Sequence, residues 1–145
     1  MEKLQFSIEI KAPREKVWKV LWEDATYRDW ANIIDEGQYV VGDWSEGGKI
    51  QFLYPSGSGV SSVIEKLVPN EFVSFRNAAD IENWKEQPLA EKSEEWSGGT
   101  ESYSLKEEDG VTTLTVAFDV PQAHKDEFED KFPKALQRVK MLSER

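Results

Sequence analysis

The sequence predicts an α+β domain in which a curved antiparallel sheet wraps around one long C-terminal helix. Three observations support this: a strand followed by two short helices, a series of strands separated by turn signals, and a final amphipathic helix. A sheet and a helix that each have one apolar face bury both faces when they pack together. The 145 residues suit one domain, which we expect to span residues 1–145.

The N-terminal part is expected to form a strand and two helices. In the strand, apolar residues alternate with polar ones at Leu4, Phe6, Ile8 and Ile10. Pro13 is expected at the first position of a helix, where its missing amide costs nothing. Trp18 and Trp22 share the apolar side of this helix, and we interpret them as packing anchors. Asp24 is expected to cap a second helix over residues 25–31.

The middle of the chain is expected to be a run of antiparallel strands. Turn signals such as Gly47-Gly48 and Asp109-Gly110 separate the apolar segments. The predicted strands are 37–44, 49–54, 60–68, 71–77, 94–107 and 111–120. The polar residues 78–93 are predicted to be irregular.

The C-terminal part is expected to be one long helix. Its apolar residues recur at spacings of three and four, at Phe128, Phe132, Leu136, Val139 and Leu142. Pro133 lies inside this stretch and predicts a kink. His124 is expected in the first turn, as a partly exposed surface residue.

The composition narrows the class of function. The 18 Lys and Arg residues against 28 Asp and Glu give a net charge of −10, which disfavours nucleic acid and anionic membrane surfaces as partners. With no cysteine and one histidine, we expect no metal and no cofactor. The N-terminus has no signal-peptide pattern and no apolar run is long enough to span a membrane, so we expect a cytoplasmic protein.

Several segments together resemble a known superfamily. The first strand leads into the pattern I-x-A-P-x-x-x-V-W-x-x-L, from Ile10 to Leu21. The other segments that carry the resemblance are Val63–Phe75, Trp96–Tyr103, Gly110–Val116 and Phe132–Leu136. Their order and spacing resemble the START-like, or SRPBCC, helix-grip superfamily, and within it the homologues of the activator of heat-shock protein 90 ATPase. The resemblance covers essentially the whole chain and implies the helix-grip fold.

The resemblance also implies a function. The superfamily includes lipid carriers, hormone receptors, polyketide cyclases and many single-domain bacterial proteins, which tend to hold an apolar or aromatic ligand between the sheet and the long helix. We therefore expect a binding protein for a small hydrophobic molecule, lipid or polyketide-like, as a monomer or homodimer. Two alternatives stay open: a cyclase- or hydrolase-type enzyme that uses Glu101 and tyrosines, and an interaction module that modulates a chaperone ATPase.

Aromatic residues are the candidate lining of such a cavity. The chain has six Trp, four Tyr and seven Phe, and residues that alternate along a strand share one face. A mostly apolar wall with a few polar groups is typical of small-molecule sites. The predicted ligand-binding residues are Trp30, Phe52, Tyr54, Phe75, Trp84, Glu101, Tyr103 and Phe128. No catalytic residue is assigned.

Three of these predictions depend on strand alternation or loop length. Glu101 lies two residues before Tyr103 and is expected to face inward, unless Gly98-Gly99 forms a bulge that turns it outward. If it is buried, we expect a raised pKa and a possible acid or base role. Phe75 and Arg76 must face opposite sides of the sheet, and we expect Arg76 on the surface.

The long polar segment Ala79–Ser93 carries Trp84. Long loops of this kind often act as lids over a site. We therefore expect Trp84 to fold over the mouth of the cavity.

Overall fold

The fold is known from a computed structural model that describes residues 2–87 and 99–145. The strands are β1 (Glu2–Ile10), β2 (Tyr39–Gly42), β3 (Lys49–Leu53), β4 (Gly59–Val68), β5 (Phe72–Glu82), β6 (Lys85–Glu86), β7 (Thr100–Glu108) and β8 (Val111–Val120). They form one antiparallel sheet in the order β1-β8-β7-β5-β4-β3-β2, and β6 pairs with β5. The predicted fold class is confirmed.

Three α-helices accompany the sheet: α1 (Arg14–Trp22), α2 (Asp24–Ala31) and α3 (Lys125–Ser143). Pro13 is the residue before α1 and not its first residue, because its extended backbone (ψ 153°) lies outside the helix. Asp24 does not cap α2 but is its first residue, and Glu23 precedes it without a side-chain cap. His124 ends a short 3₁₀ helix (Gln122–His124) directly before α3.

The prediction that residues 78–93 are irregular is wrong for the part that the structure describes. β5 continues to Glu82 and turns back into β6 through Asn83 and Trp84. Both turn residues have positive φ, 51° and 65°, which residues with a side chain seldom adopt. The predicted strand 94–107 likewise begins only at Thr100 among the described residues, and 88–98 lie outside them.

The core lies between the sheet and the three helices. β8 alternates buried and half-buried residues along its whole length, so one face is presented to the helices. Phe132 of α3 stacks on Phe6 of β1 and packs on Phe118 of β8, with ring centroids 5.5 and 4.8 Å apart. Arg138 of α3 holds Asp29 of α2 through two hydrogen bonds of 2.7 and 3.0 Å. These contacts fix both helices over one face of the sheet.

In the part of the chain that the structure describes, no helix is long and apolar enough to cross a membrane.

Candidate ligand cavity between the sheet and the helices

A cavity of about 280 Å³ lies between the inner face of the sheet and helices α2 and α3. Its wall comes from α2 and the turn after it, from β3, β4, β5, β7 and β8, and from the first half of α3. A cavity of roughly 150 Å³ can hold a benzene molecule. This cavity therefore has room for a ligand about the size of two fused aromatic rings.

Aromatic rings make up much of the cavity wall. Tyr27 and Trp30 lie three residues apart on one side of α2, with ring centroids 5.1 Å apart. The Trp30 indole N–H donates to the Leu21 carbonyl oxygen at 3.2 Å, so its ring and not its N–H is left for a ligand. On the opposite wall, Phe118 and Phe128 pack edge to face at 5.5 Å. The wall thus offers flat apolar surfaces from two directions.

Glu101 of β7 is one of the polar groups on the sheet side of the cavity. It pairs with Phe75 of β5 on one side and Phe118 of β8 on the other, so all three face inward. The Tyr103 hydroxyl donates to Glu101 Oε2 at 2.5 Å. Burial raises the pKa of Glu101, and the hydrogen bond from Tyr103 offsets this only in part. Glu101 therefore keeps its proton to a higher pH than a surface glutamate.

A second polar group comes from the turn that follows α2. The Tyr54 hydroxyl donates to Asp35 Oδ2 at 3.3 Å, and Gln38 Nε2 donates to the Tyr27 hydroxyl oxygen at 2.8 Å. Burial raises the pKa of Asp35, and it raises the pKa of Tyr27 and Tyr54 as well. The tyrosines are therefore neutral hydroxyl groups at physiological pH.

Six of the eight predicted site residues line the cavity: Trp30, Phe52, Tyr54, Glu101, Tyr103 and Phe128. Phe75 faces inward but does not line the cavity. Its side chain is 0% exposed because the rings of Trp22, Phe52 and Tyr103 cover it. Arg76 lies on the outer face, as expected, and there it pairs with Glu65.

Trp84 does not line the cavity either. It belongs to the tight β5–β6 turn, is 58% exposed, and its backbone N–H donates to the Gly57 carbonyl oxygen. The Trp84 ring lies over Gly57, where a Cβ would meet the indole. The prediction that Trp84 folds over the cavity mouth is wrong, because residues 79–87 of this segment, the part that the structure describes, form a hairpin; residues 88–93 lie outside the described residues.

Several lining residues were not predicted. The polar ones are Tyr27, Asp35, Gln38, Ser58, Asn77, Asp80 and Glu82. The spacing of Tyr27 and Trp30 on one helix could have indicated that Tyr27 shares the cavity side of α2. Asp35 and Gln38 lie in an irregular turn, where sequence periodicity gives no orientation.

A second, outer groove of about 300 Å³ lies beside α1 and is lined by Trp18, Trp22, Trp44, Leu67 and Pro69 together with Lys19 and Glu23. Trp22 separates it from the cavity, since its ring lies 5.1 Å from Trp44 and 4.8 Å from Tyr103. The buried indole N–H of Trp22 has no hydrogen-bond partner among the described residues. The ionisable residues that line this groove in the described part of the chain, Lys19 and Glu23, are both exposed.

The arrangement suits binding of a compact, largely apolar molecule that also presents one or two polar atoms. Among the described residues, no group of three His, Cys, Asp or Glu converges as metal ligands would. A carboxyl group with a raised pKa beside a tyrosine hydroxyl is also an arrangement that can give or take a proton.

An antiparallel sheet that holds a long C-terminal helix around an internal cavity defines the START-like, or SRPBCC, class of proteins. Within that class, the model of the family described as "Activator of Hsp90 ATPase homolog 1-like protein" matches residues 11–143. The chain therefore belongs to this family, as its sequence pattern predicted. A search of curated proteins gives no match.

Solved structures support the same fold. The Aha1 dimer from Colwellia psychrerythraea is similar with a TM-score of 0.74 and 22% identity, covering 99% of this chain and 97% of that one. Protein MLL2253 from Mesorhizobium loti has a TM-score of 0.74 and 13% identity over 97% and 96% of the two chains. CalU16 from Micromonospora echinospora has a TM-score of 0.63 and 16% identity over 97% and 75%. At these identities the similarity establishes the fold alone.

Proposed function

We propose that this protein binds a small apolar or aromatic molecule in the cavity between the sheet and α3. The observation that carries the proposal is a cavity of about 280 Å³ walled by aromatic rings, in which a few polar side chains converge. Protein cores are normally packed to a density that leaves few voids larger than a water molecule. A cavity of this size, kept in a core that has ample aromatic residues to fill it, favours a bound ligand.

The proposal is tested by calorimetric titration with a neutral probe such as naphthol. Phe52 lines the cavity, and its ring supplies part of the apolar contact. Replacing a ring that contacts the ligand removes about 1.5 kcal/mol or more, which is about a tenfold loss of affinity. Phe52→Ala is therefore expected to weaken binding about tenfold while the variant still unfolds cooperatively.

Phe72→Ala is the matched control. Phe72 is half-buried at the start of β5 and does not line the cavity; its ring lies 5.9 Å from Lys66 Nζ. This variant should bind the probe as the wild type does. Absence of saturable binding by the wild type, or equal losses in the two variants, would overturn the proposal.

A second candidate function is proton transfer on a bound ligand. It is favoured by the Glu101 carboxyl, whose pKa is raised by burial and which accepts a hydrogen bond from Tyr103 at 2.5 Å. If the protein is an enzyme of the cyclase or hydrolase type, Glu101→Gln abolishes turnover and leaves ligand affinity within a few-fold. Turnover that survives in Glu101→Gln would refute the proton-transfer role of Glu101.

The chaperone-modulating role stays a prediction from the resemblance. Its test is direct, saturable binding of the protein to Hsp90 in a sedimentation experiment. The absence of detectable binding at high protein concentration would refute the chaperone-modulating role.

A further inference from the structure

The described wall of the cavity carries acidic side chains but no basic ones. Two acidic residues whose contacts are described line it: Asp35 on the side of α2 and Glu101 on β7. Among the described residues on the wall there is no lysine, arginine or histidine. An anionic ligand such as a fatty acid would bring a further negative charge into this space, where the medium is less polar than water and repulsion is stronger.

No basic side chain in the described part of the chain compensates Glu101. Arg76, on the neighbouring strand, points to the outer face and pairs with Glu65. Lys131 of α3 donates to Glu127 and to the Ile34 carbonyl oxygen, on the Asp35 side of the cavity. The groups that interact with Glu101 are instead the hydroxyls of Tyr103, Tyr27 and Tyr54.

Glu101 also keeps hydrogen-bonding capacity for a ligand. Tyr103 occupies Oε2, and the structure gives Oε1 no hydrogen bond with a described residue. Glu101 is half-buried and lies on the cavity wall, so this oxygen is within reach of a bound molecule. A carboxylate in such a position forms its strongest hydrogen bonds with a charged donor.

The aromatic wall suits the same kind of ligand. Rings attract cations through the negative potential of their faces, and tryptophan does so most strongly. Trp30, Tyr27 and Phe52 lie around the cavity with Glu101, so a cation could meet ring faces and a carboxylate at once. A neutral ligand would use the rings and neutral hydrogen bonds, without the attraction between a cation and Glu101.

From these observations we infer that the cavity takes an organic cation, an arylalkylamine or a similar amine, with its ammonium group against Glu101 and its apolar body among the rings. The inference rests on the proposed function and narrows it to a class of ligand. It excludes fatty acids and other anionic lipids as the principal ligands.

The test uses three probes that share one aromatic body: naphthylethylamine, naphthylethanol and naphthylacetate. Calorimetric titration near neutral pH should give the tightest binding for the amine, about tenfold tighter than the alcohol, because charge-assisted hydrogen bonds are the stronger ones. The acetate should bind most weakly. If the acetate binds as tightly as the amine, the inference is overturned.

Two variants test whether Glu101 is the group that causes the preference for the amine. Glu101→Gln keeps the shape of the side chain and an acceptor for Tyr103, and it should remove the preference for the amine while the alcohol still binds. Glu9→Gln changes the net charge equally on the exposed face of β1 and should leave the preference intact. A preference that survives Glu101→Gln, or that disappears in Glu9→Gln, would overturn the inference.

The probes also separate the two proposals. Equal binding of amine and alcohol would refute the cation preference and leave the apolar cavity as a ligand site. Failure of all three probes to bind would refute the ligand site itself, and the cation preference with it.

Discussion

Filling the cavity from inside should stabilise the protein and compete with the ligand. Ala31 is the last residue of α2, is 1% exposed, and lies on the cavity wall. Ala31→Leu adds three carbon atoms, which we expect to extend into the cavity. Alanine and leucine are both good helix formers, so helix propensity changes little.

The magnitude follows from the added surface. Three buried carbon atoms are worth about 2.4 kcal/mol at about 0.8 kcal/mol each, and the lost rotamer freedom of leucine costs about 0.5–1 kcal/mol. The expected gain in the free energy of unfolding is therefore about 1.5 kcal/mol. For a chain of this length, that raises Tm by roughly 5 °C.

Ala135→Leu is the matched control. Ala135 lies in α3, is 0% exposed and does not line the cavity, so the same added atoms have no space. Overpacking a filled core costs about 1–3 kcal/mol. Urea denaturation should show opposite signs for the two variants, and Ala31→Leu should also weaken the binding of naphthol. Destabilisation of similar size in both variants would mean that no usable cavity lies beside Ala31.

Three further predictions concern the polar groups and the backbone of the cavity wall. Because burial raises the pKa of Glu101, the folded state binds this proton more tightly than the unfolded state, so stability falls as pH rises from the ordinary value of 4.5 through the raised value. Urea denaturation at several pH values should show that Glu101→Gln removes this part of the pH dependence. If the free energy of unfolding of the variant changes with pH as that of the wild type does, the burial of Glu101 is contradicted. Tyr103→Phe removes the hydrogen bond that lowers the pKa of Glu101, so carbon-detected NMR titration should show that pKa rising further, and a fall would contradict the assigned contact. Gly59→Ala places a Cβ against the Phe52 carbonyl oxygen and should cost about 3 kcal/mol in urea denaturation, because β3 and β4 must separate; a loss under 1 kcal/mol would show that the hairpin adapts.

The layout of the fold could be predicted because it depends on periodic patterns. Alternation in β1 and β8 and the apolar stripe of α3 each identify an element and the face it buries. The ends of the helices were less predictable. Pro13 and Asp24 are each shifted by one position from the predicted role, because a helix boundary depends on local backbone angles that several residue types can adopt.

The β5–β6 hairpin could not be predicted from turn chemistry. Its turn is Asn83-Trp84, and a tryptophan at positive φ is contrary to the preference for glycine in such turns. The fold imposes this conformation through contacts that are distant in sequence, among them the hydrogen bond from the Trp84 N–H to Gly57. The sequence pattern therefore indicated a loop where the chain continues the sheet.

The site was predictable where strand alternation applied. Glu101 and Tyr103 lie two residues apart on β7 and both reach the cavity, as alternation requires. Phe75 obeys the same rule but is covered by Trp22, and no local pattern shows which inward residues other side chains will cover. Asp35 depends on how the turn after α2 is placed by packing, which is a property of the tertiary structure.

The most direct measurement is the position of a bound probe. In an NMR experiment with isotope-labelled protein and unlabelled naphthylethylamine, the account predicts intermolecular nuclear Overhauser effects to the rings of Trp30, Phe52 and Phe128. Effects confined to Trp18 and Trp44 would instead place the ligand in the outer groove. That result would contradict the claim that the cavity between the sheet and α3 is the binding site.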